Sequence, residues 1–137
     1  MRTYQDERKS IFSENSTSYQ NNSLGSTRQP RHLISRIFDV HYHQTGNYFG
    51  YLSNLSTEGA AVVSVSPMKK QNKVYLRVDC EDEDLELTDI YFEAICQWSK
   101  DNRNDGLYES GFRFQNINYA TTMEIRKLVK YFSSETY

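Results

Sequence analysis

The stretch Ile90-Tyr91-Phe92-Glu93-Ala94-Ile95-Cys96-Gln97-Trp98 decides the fold. In it Ile90, Phe92, Ala94, Cys96 and Trp98 alternate with Tyr91, Glu93, Ile95 and Gln97, and a period of two marks a strand with one buried face. Upstream, Val74, Leu76 and Val78 form another inward row, with Tyr75 and Arg77 outside. The same rhythm runs through residues 37–43, where Phe38, Val40 and Tyr42 oppose Asp39, His41 and His43. A turn at residues 44–47 follows, with Gly46 free to take positive φ. Residues 48–53 then read as the return strand and residues 59–65 as a third. Downstream, Phe112 and Phe114 flank Arg113 on a last strand. Short strands at this spacing, separated by polar turns, predict an all-β domain, a six-stranded antiparallel barrel.

Beyond the strands the pattern changes. Thr121 and Glu124 fit a capping box, and Ile125, Leu128, Val129 and Phe132 recur at helical spacing. One C-terminal helix over about 121–133 is expected to lie across an open end or side of the barrel, with Lys127 and Lys130 suiting its dipole. At the other end, residues 1–27 are nearly all polar or charged. Such a stretch buries too little apolar surface to offset its ordering entropy, so a flexible tail is expected before a single domain over 28–137.

The composition narrows the function classes. The 137 residues suit one domain. Sixteen basic against eighteen acidic residues leave a net charge of −2, which argues against a DNA- or RNA-binding scaffold. No apolar run approaches the ~18–20 residues of a membrane span, and residues 1–6 lack a signal peptide's apolar core. A cytoplasmic protein is the expectation. Cys80 and Cys96 alone cannot build a zinc site and need not form a disulfide.

Two clusters carry possible chemistry. Arg28 and Arg31, with Arg36 beyond them, offer flat, permanently charged, forked donors that match phosphate oxygens or a guanine edge. Asn54-Leu55-Ser56-Thr57-Glu58-Gly59 places compact donors and acceptors on a tight loop, where Gly59 allows a close backbone approach or a positive φ. The same residues also serve as a solvated basic patch and an ordinary turn.

An arginine pair just before the first strand, followed by an Asn-x-Ser-x-x-Gly loop, resembles the PilZ domain, a bacterial receptor family for cyclic di-GMP. The likeness extends along residues 50–61, and residues 97–100 followed by 108–112 resemble the late barrel strands of one PilZ branch. The resemblance spans about residues 28–132. It implies that Asn54, Ser56 and Gly59 line a guanine site on the barrel surface and that Arg31, with Arg28, grips guanine or phosphate. Arg36 is a possible additional contact. The family's first motif is Arg-x-x-x-Arg; here Thr27 stands at the earlier position and Arg28 one step along, which leaves Arg-x-x-Arg.

Two expectations follow from the resemblance. One is a non-enzymatic cyclic di-GMP receptor whose Arg28–Arg36 segment folds onto the barrel when the ligand binds and so signals to a protein partner. The other is a PilZ-like interaction module that binds no nucleotide and acts in motility, pilus or surface-attachment (biofilm) control. No metal or other cofactor is expected. His41 and His43 lack further ligands, the acidic run at residues 79–84 lacks the spacing of a calcium loop, and no nucleophile sits in a recognisable elbow.

Overall fold

The computed structural model describes residues 32–101 and 105–136, with side chains to Ser133. Its elements are β1 (His32–Ile34), β2 (Asp39–Tyr42), β3 (Tyr48–Leu55), β4 (Gly59–Ser64), β5 (Lys73–Val78), β6 (Ile90–Asp101), β7 (Tyr108–Gln115), α1 (Tyr119–Phe132) and β8 (Ser133–Thr136). Strands β2, β5, β6, β7, β4 and β3 pair in that order, and β3 pairs back onto β2. Every pairing is antiparallel, which closes the expected six-stranded barrel. The remaining strands extend it sideways, β1 along the end of β3 and β8 along β1.

The inward rows fill the barrel. Val40, Leu55, Val62, Leu76, Val78, Ile90, Cys96 and Phe112 are fully or almost fully buried, and Ile125 and Leu128 of α1 join the same cluster. The helix therefore caps the core as an apolar lid, each fully buried Ile or Leu contributing about 1.5–3 kcal/mol of transfer free energy. Gly46 takes the expected positive φ, 77°. At Gly50 the backbones of β3 and β4 come so close that a Cβ would sit 2.1 Å from the Val63 carbonyl oxygen.

Three local expectations are corrected. The helix begins earlier, at Tyr119, and its cap is Asn118, whose Oδ1 accepts from Thr121 N at 2.8 Å. Thr121 thus gives its amide to a cap instead of being one. Glu124 pairs instead with Lys127 and accepts from Thr88 N. Second, Trp98 does not continue the inward row of β6. A bulge between Cys96 and Trp98 shifts the register, so Trp98 faces outward opposite Gly111 while Ser99 pairs with the buried Ser110. Third, a strand that the alternation does not announce precedes the one expected at residues 37–43, inside the expected domain. His32–Ile34 form β1, and Ser35 N donates to Phe132 O at 2.7 Å. The expected flexible tail over residues 1–27 lies outside the described residues.

Candidate functional site

The Asn54–Gly59 loop owes its orientation to a second bulge. Gly50 and Leu52 of β3 oppose Ser64 and Val62; the register then shifts, and Asn54 opposes Ala61 while Leu55 opposes Ala60. Ser53 is the extra residue. Were Ser53 paired in a regular ladder instead, strict alternation would turn Asn54 toward the core and Leu55 outward. With the bulge, Leu55 is wholly buried and Asn54 stands on the outer wall. Ser53 Oγ donates to Glu109 Oε2 at 2.9 Å and lies 3.2 Å from the Ala61 carbonyl oxygen, which pins the bulge from two sides. Glu109 itself is only 4% exposed, with Lys100 Nζ 3.9 Å from its Oε1.

The loop then closes on its own hydrogen bonds. Ser56 N donates to Gly59 O at 2.9 Å, and Ser56 Oγ, on a buried residue, accepts from Glu58 N at 3.1 Å. Phe114 N donates to Glu58 O at 2.9 Å, which ties the loop to β7. Gly59 opens β4 in extended conformation, and the described glycines with positive φ are Gly46 and Gly106. Of the two roles expected for Gly59, left-handed turning is therefore not used.

Register aligns a row across the outer wall. Trp98 opposes Gly111, Gly111 opposes Ala61, Ala61 opposes Asn54, and Asn54 opposes Leu33 of β1. Trp98 lies against Gly111 so closely that a Cβ there would come within 2.3 Å of the indole. The middle of the row carries almost no side chain, and the Trp98 ring lies over Gly111 and against the wholly buried Ala61. Arg113 opposes Gly59 in the adjacent row, and Glu109, Val63 and Tyr51 follow on the other side. Burial raises the Tyr51 phenol above its usual value, helped by the charges of Asp105 and Glu109.

The fold brings Asn54, Ser56 and Gly59 into one loop. Asn54 Oδ1 is buried and has no hydrogen-bond partner among the described residues, an arrangement that costs about 1–3 kcal/mol unless a donor arrives. Arg28 and Arg31 lie outside the described residues. Arg36 is placed elsewhere, its guanidinium 5.4 Å from the Phe38 ring centroid, 5.3 Å from that of Phe132 and 3.9 Å from Asp82. Trp98, Arg113 and the Ser53–Glu109 pair escape sequence reading, because bulges and cross-strand partners leave no mark on periodicity.

Other candidates find structural employment. His41 Nδ1 lies 2.8 Å from Asp79 Oδ2, near enough for an ion pair when the ring is protonated but poorly aligned for a hydrogen bond. His43 meets Tyr91 edge-on at 4.8 Å. The acidic segment is an organised loop in which Asp89 Oδ1 accepts from Cys80 N and Glu81 N, each at 3.0 Å. Burial pushes the Cys80 thiol up to about 12 and that of Cys96 to about 11, so neither is a thiolate at neutral pH. Among the described residues no group of His, Cys, Asp and Glu could hold a metal ion, and no helix is long and apolar enough to cross a membrane.

Comparison with known proteins bears on the same barrel. Solved structures share it, among them these three. One is the Bacillus subtilis inhibitor of motility MotI/DgrA (TM-score 0.60, 16% identity, 79% of this chain and 51% of that one). Another is the PilZ domain of YcgR from Escherichia coli with c-di-GMP (0.60, 13%, 78% and 91%). The third is the K. pneumonia MrkH–c-di-GMP complex (0.57, 14%, 78% and 52%). The chain thus spans about half the length of MotI/DgrA and of MrkH. At these identities the likeness is one of fold. No curated protein matches the chain. A family model described as the PilZ domain matches residues 27–131, the whole barrel and nearly all of its helix, and the chain belongs to the PilZ domain family.

Proposed function

We propose that the chain is a non-enzymatic receptor for cyclic di-GMP, with the dinucleotide held on the outer wall at the Asn54–Gly59 loop and closed over by Arg28 and Arg31. The observation that carries this reading is the β1–β3 register: His32 opposes Leu55 and Leu33 opposes Asn54. Arg31 is bonded to His32, so its Cα is about 3.8 Å away, and Arg28 is within a chain reach of ~14 Å. That reach supports a contact of both arginines with the loop that carries Ser56. Asn54 Oδ1, an acceptor without a donor among the described residues, suits the N–H edge of a guanine. The guanidinium forks suit phosphate or the O6/N7 edge. YcgR and MrkH, structures with the same fold, hold c-di-GMP.

In this reading the responsive segment is the chain before His32. Its pull is passed through β1 to β8, which pairs along the far edge of β1, and to the helix end through Ser35 and Phe132. A partner protein reads that change. Motility is the process in which we place it, because MotI/DgrA, an inhibitor of motility, shares the fold. The Arg28-x-x-Arg31 spacing supports the second reading, an interaction module without ligand. Titration calorimetry of the full chain with cyclic di-GMP separates the two. Heat that disappears in Arg31→Ala and in Ser56→Ala supports the receptor, whereas no heat at high micromolar ligand rejects it.

A further inference from the structure

We propose that Arg113 is a further ligand contact, its guanidinium taking a phosphate of the cyclic dinucleotide; this rests on the receptor reading above. The buried Phe112 and Phe114 on either side force Arg113 to the outer wall, where it is exposed. Across the ladder it opposes Gly59, the last residue of the loop, and the next backbone hydrogen bond, Phe114 N to Glu58 O, fastens β7 to that loop. Directly opposed residues start about 4.5–5.5 Å apart, and Gly59 carries no side chain to fill the gap.

Its charge is also unanswered. Arg36 has two aromatic rings and Asp82, and Arg77 has Asp79 at 2.6 Å. Among the described residues Arg113 has no ion pair and no hydrogen-bond partner, although Glu58 is on the adjoining loop. A permanent positive charge without a counterion among the described residues, on the same wall as Asn54 with β4 between them, divides the labour by chemistry. Asn54 meets the base, and Arg113 meets the anion. A phosphate rewards charge, so Lys is a partial substitute; a bidentate base edge rewards the flat fork, so Lys is none.

The test is calorimetric titration of the full chain with cyclic di-GMP, for the wild type, Arg113→Ala and Arg113→Lys, at two ionic strengths. The exposed position keeps both variants folded, checked by circular dichroism. The expected result is about tenfold weaker binding in Arg113→Ala, most of it restored in Arg113→Lys, with a shallower salt dependence in the Ala variant. Unchanged affinity and salt dependence in Arg113→Ala, while the wild type binds, overturns the contact and leaves the receptor reading standing. Lys performing no better than Ala overturns the assignment to phosphate. A wild type that binds nothing overturns the receptor reading itself.

Discussion

The barrel has two walls that are alike inside and opposite outside. On the β2–β5–β6 wall the charges answer one another: Lys73 reaches Glu93 at 2.7 Å, Arg77 reaches Asp79 at 2.6 Å, and His41 lies 2.8 Å from the same carboxylate. On the β3–β4–β7 wall Gly59, Ala61 and Gly111 bring little or no side chain, and every residue of β4 is buried. Yet there Asn54 Oδ1 lacks a donor and Arg113 lacks a counterion among the described residues. On the first wall His41 Nδ1, also buried without a hydrogen bond among the described residues, still faces the Asp79 carboxylate. A wall whose charges are paired in this way is scaffold. A wall with polar groups left over is where a ligand completes the hydrogen bonding, because a buried group without a partner is costly.

The sharpest way to break this contrast is to push β3 away from β4. Gly50→Ala sets a Cβ against the Val63 carbonyl, a backbone atom that cannot swing aside. We expect a loss of about 3 kcal/mol or more in urea denaturation. Next in size is Ser53→Ala, which deprives the buried Glu109 carboxylate of its hydroxyl donor. A cost of about 1–3 kcal/mol is expected, together with weaker cyclic di-GMP binding as the bulge that presents Asn54 relaxes. Loss of stability with unchanged affinity would disconnect the bulge from the site.

A smaller effect concerns β1. Burial holds the His32 imidazole below its ordinary value of 6.5, so the fold favours the neutral ring. The stability this gives is complete above about pH 6.5 and is lost as pH falls through the depressed folded value. The protection factors of the β1 and β8 amides, taken relative to intrinsic exchange at each pH, should fall on acidification, and His32→Gln should flatten that dependence. The smallest effect belongs to the self-paired wall. Lys73→Ala should move neither the urea midpoint nor the affinity appreciably, since exposed ion pairs are worth little.

The barrel is legible in the sequence because its strands alternate cleanly; residues 74–78 and 90–96 need only the period of two. What escapes is set by neighbours. β8 is Ser133–Thr136, polar throughout, and exists because β1 lies beside it. Trp98 continues the alternation in the sequence, but the bulge turns it over. Asn118 is hidden as a cap because Thr121 and Glu124 make a more familiar pattern three residues later. At the site, Asn54, Ser56 and Gly59 are readable as a spaced motif. Arg113 and Glu109 are not, since only cross-strand register brings them to that loop.

The most direct measurement is a two-dimensional NMR titration of isotope-labelled chain with cyclic di-GMP, with assigned backbone amides and the Trp98 indole. A ligand held on the outer wall requires the shifts to concentrate at residues 54–59, at His32 and Leu33, and around Arg113 and Trp98, with β5 silent. Shifts confined to the β2–β5–β6 wall, or none at saturating ligand, would contradict it.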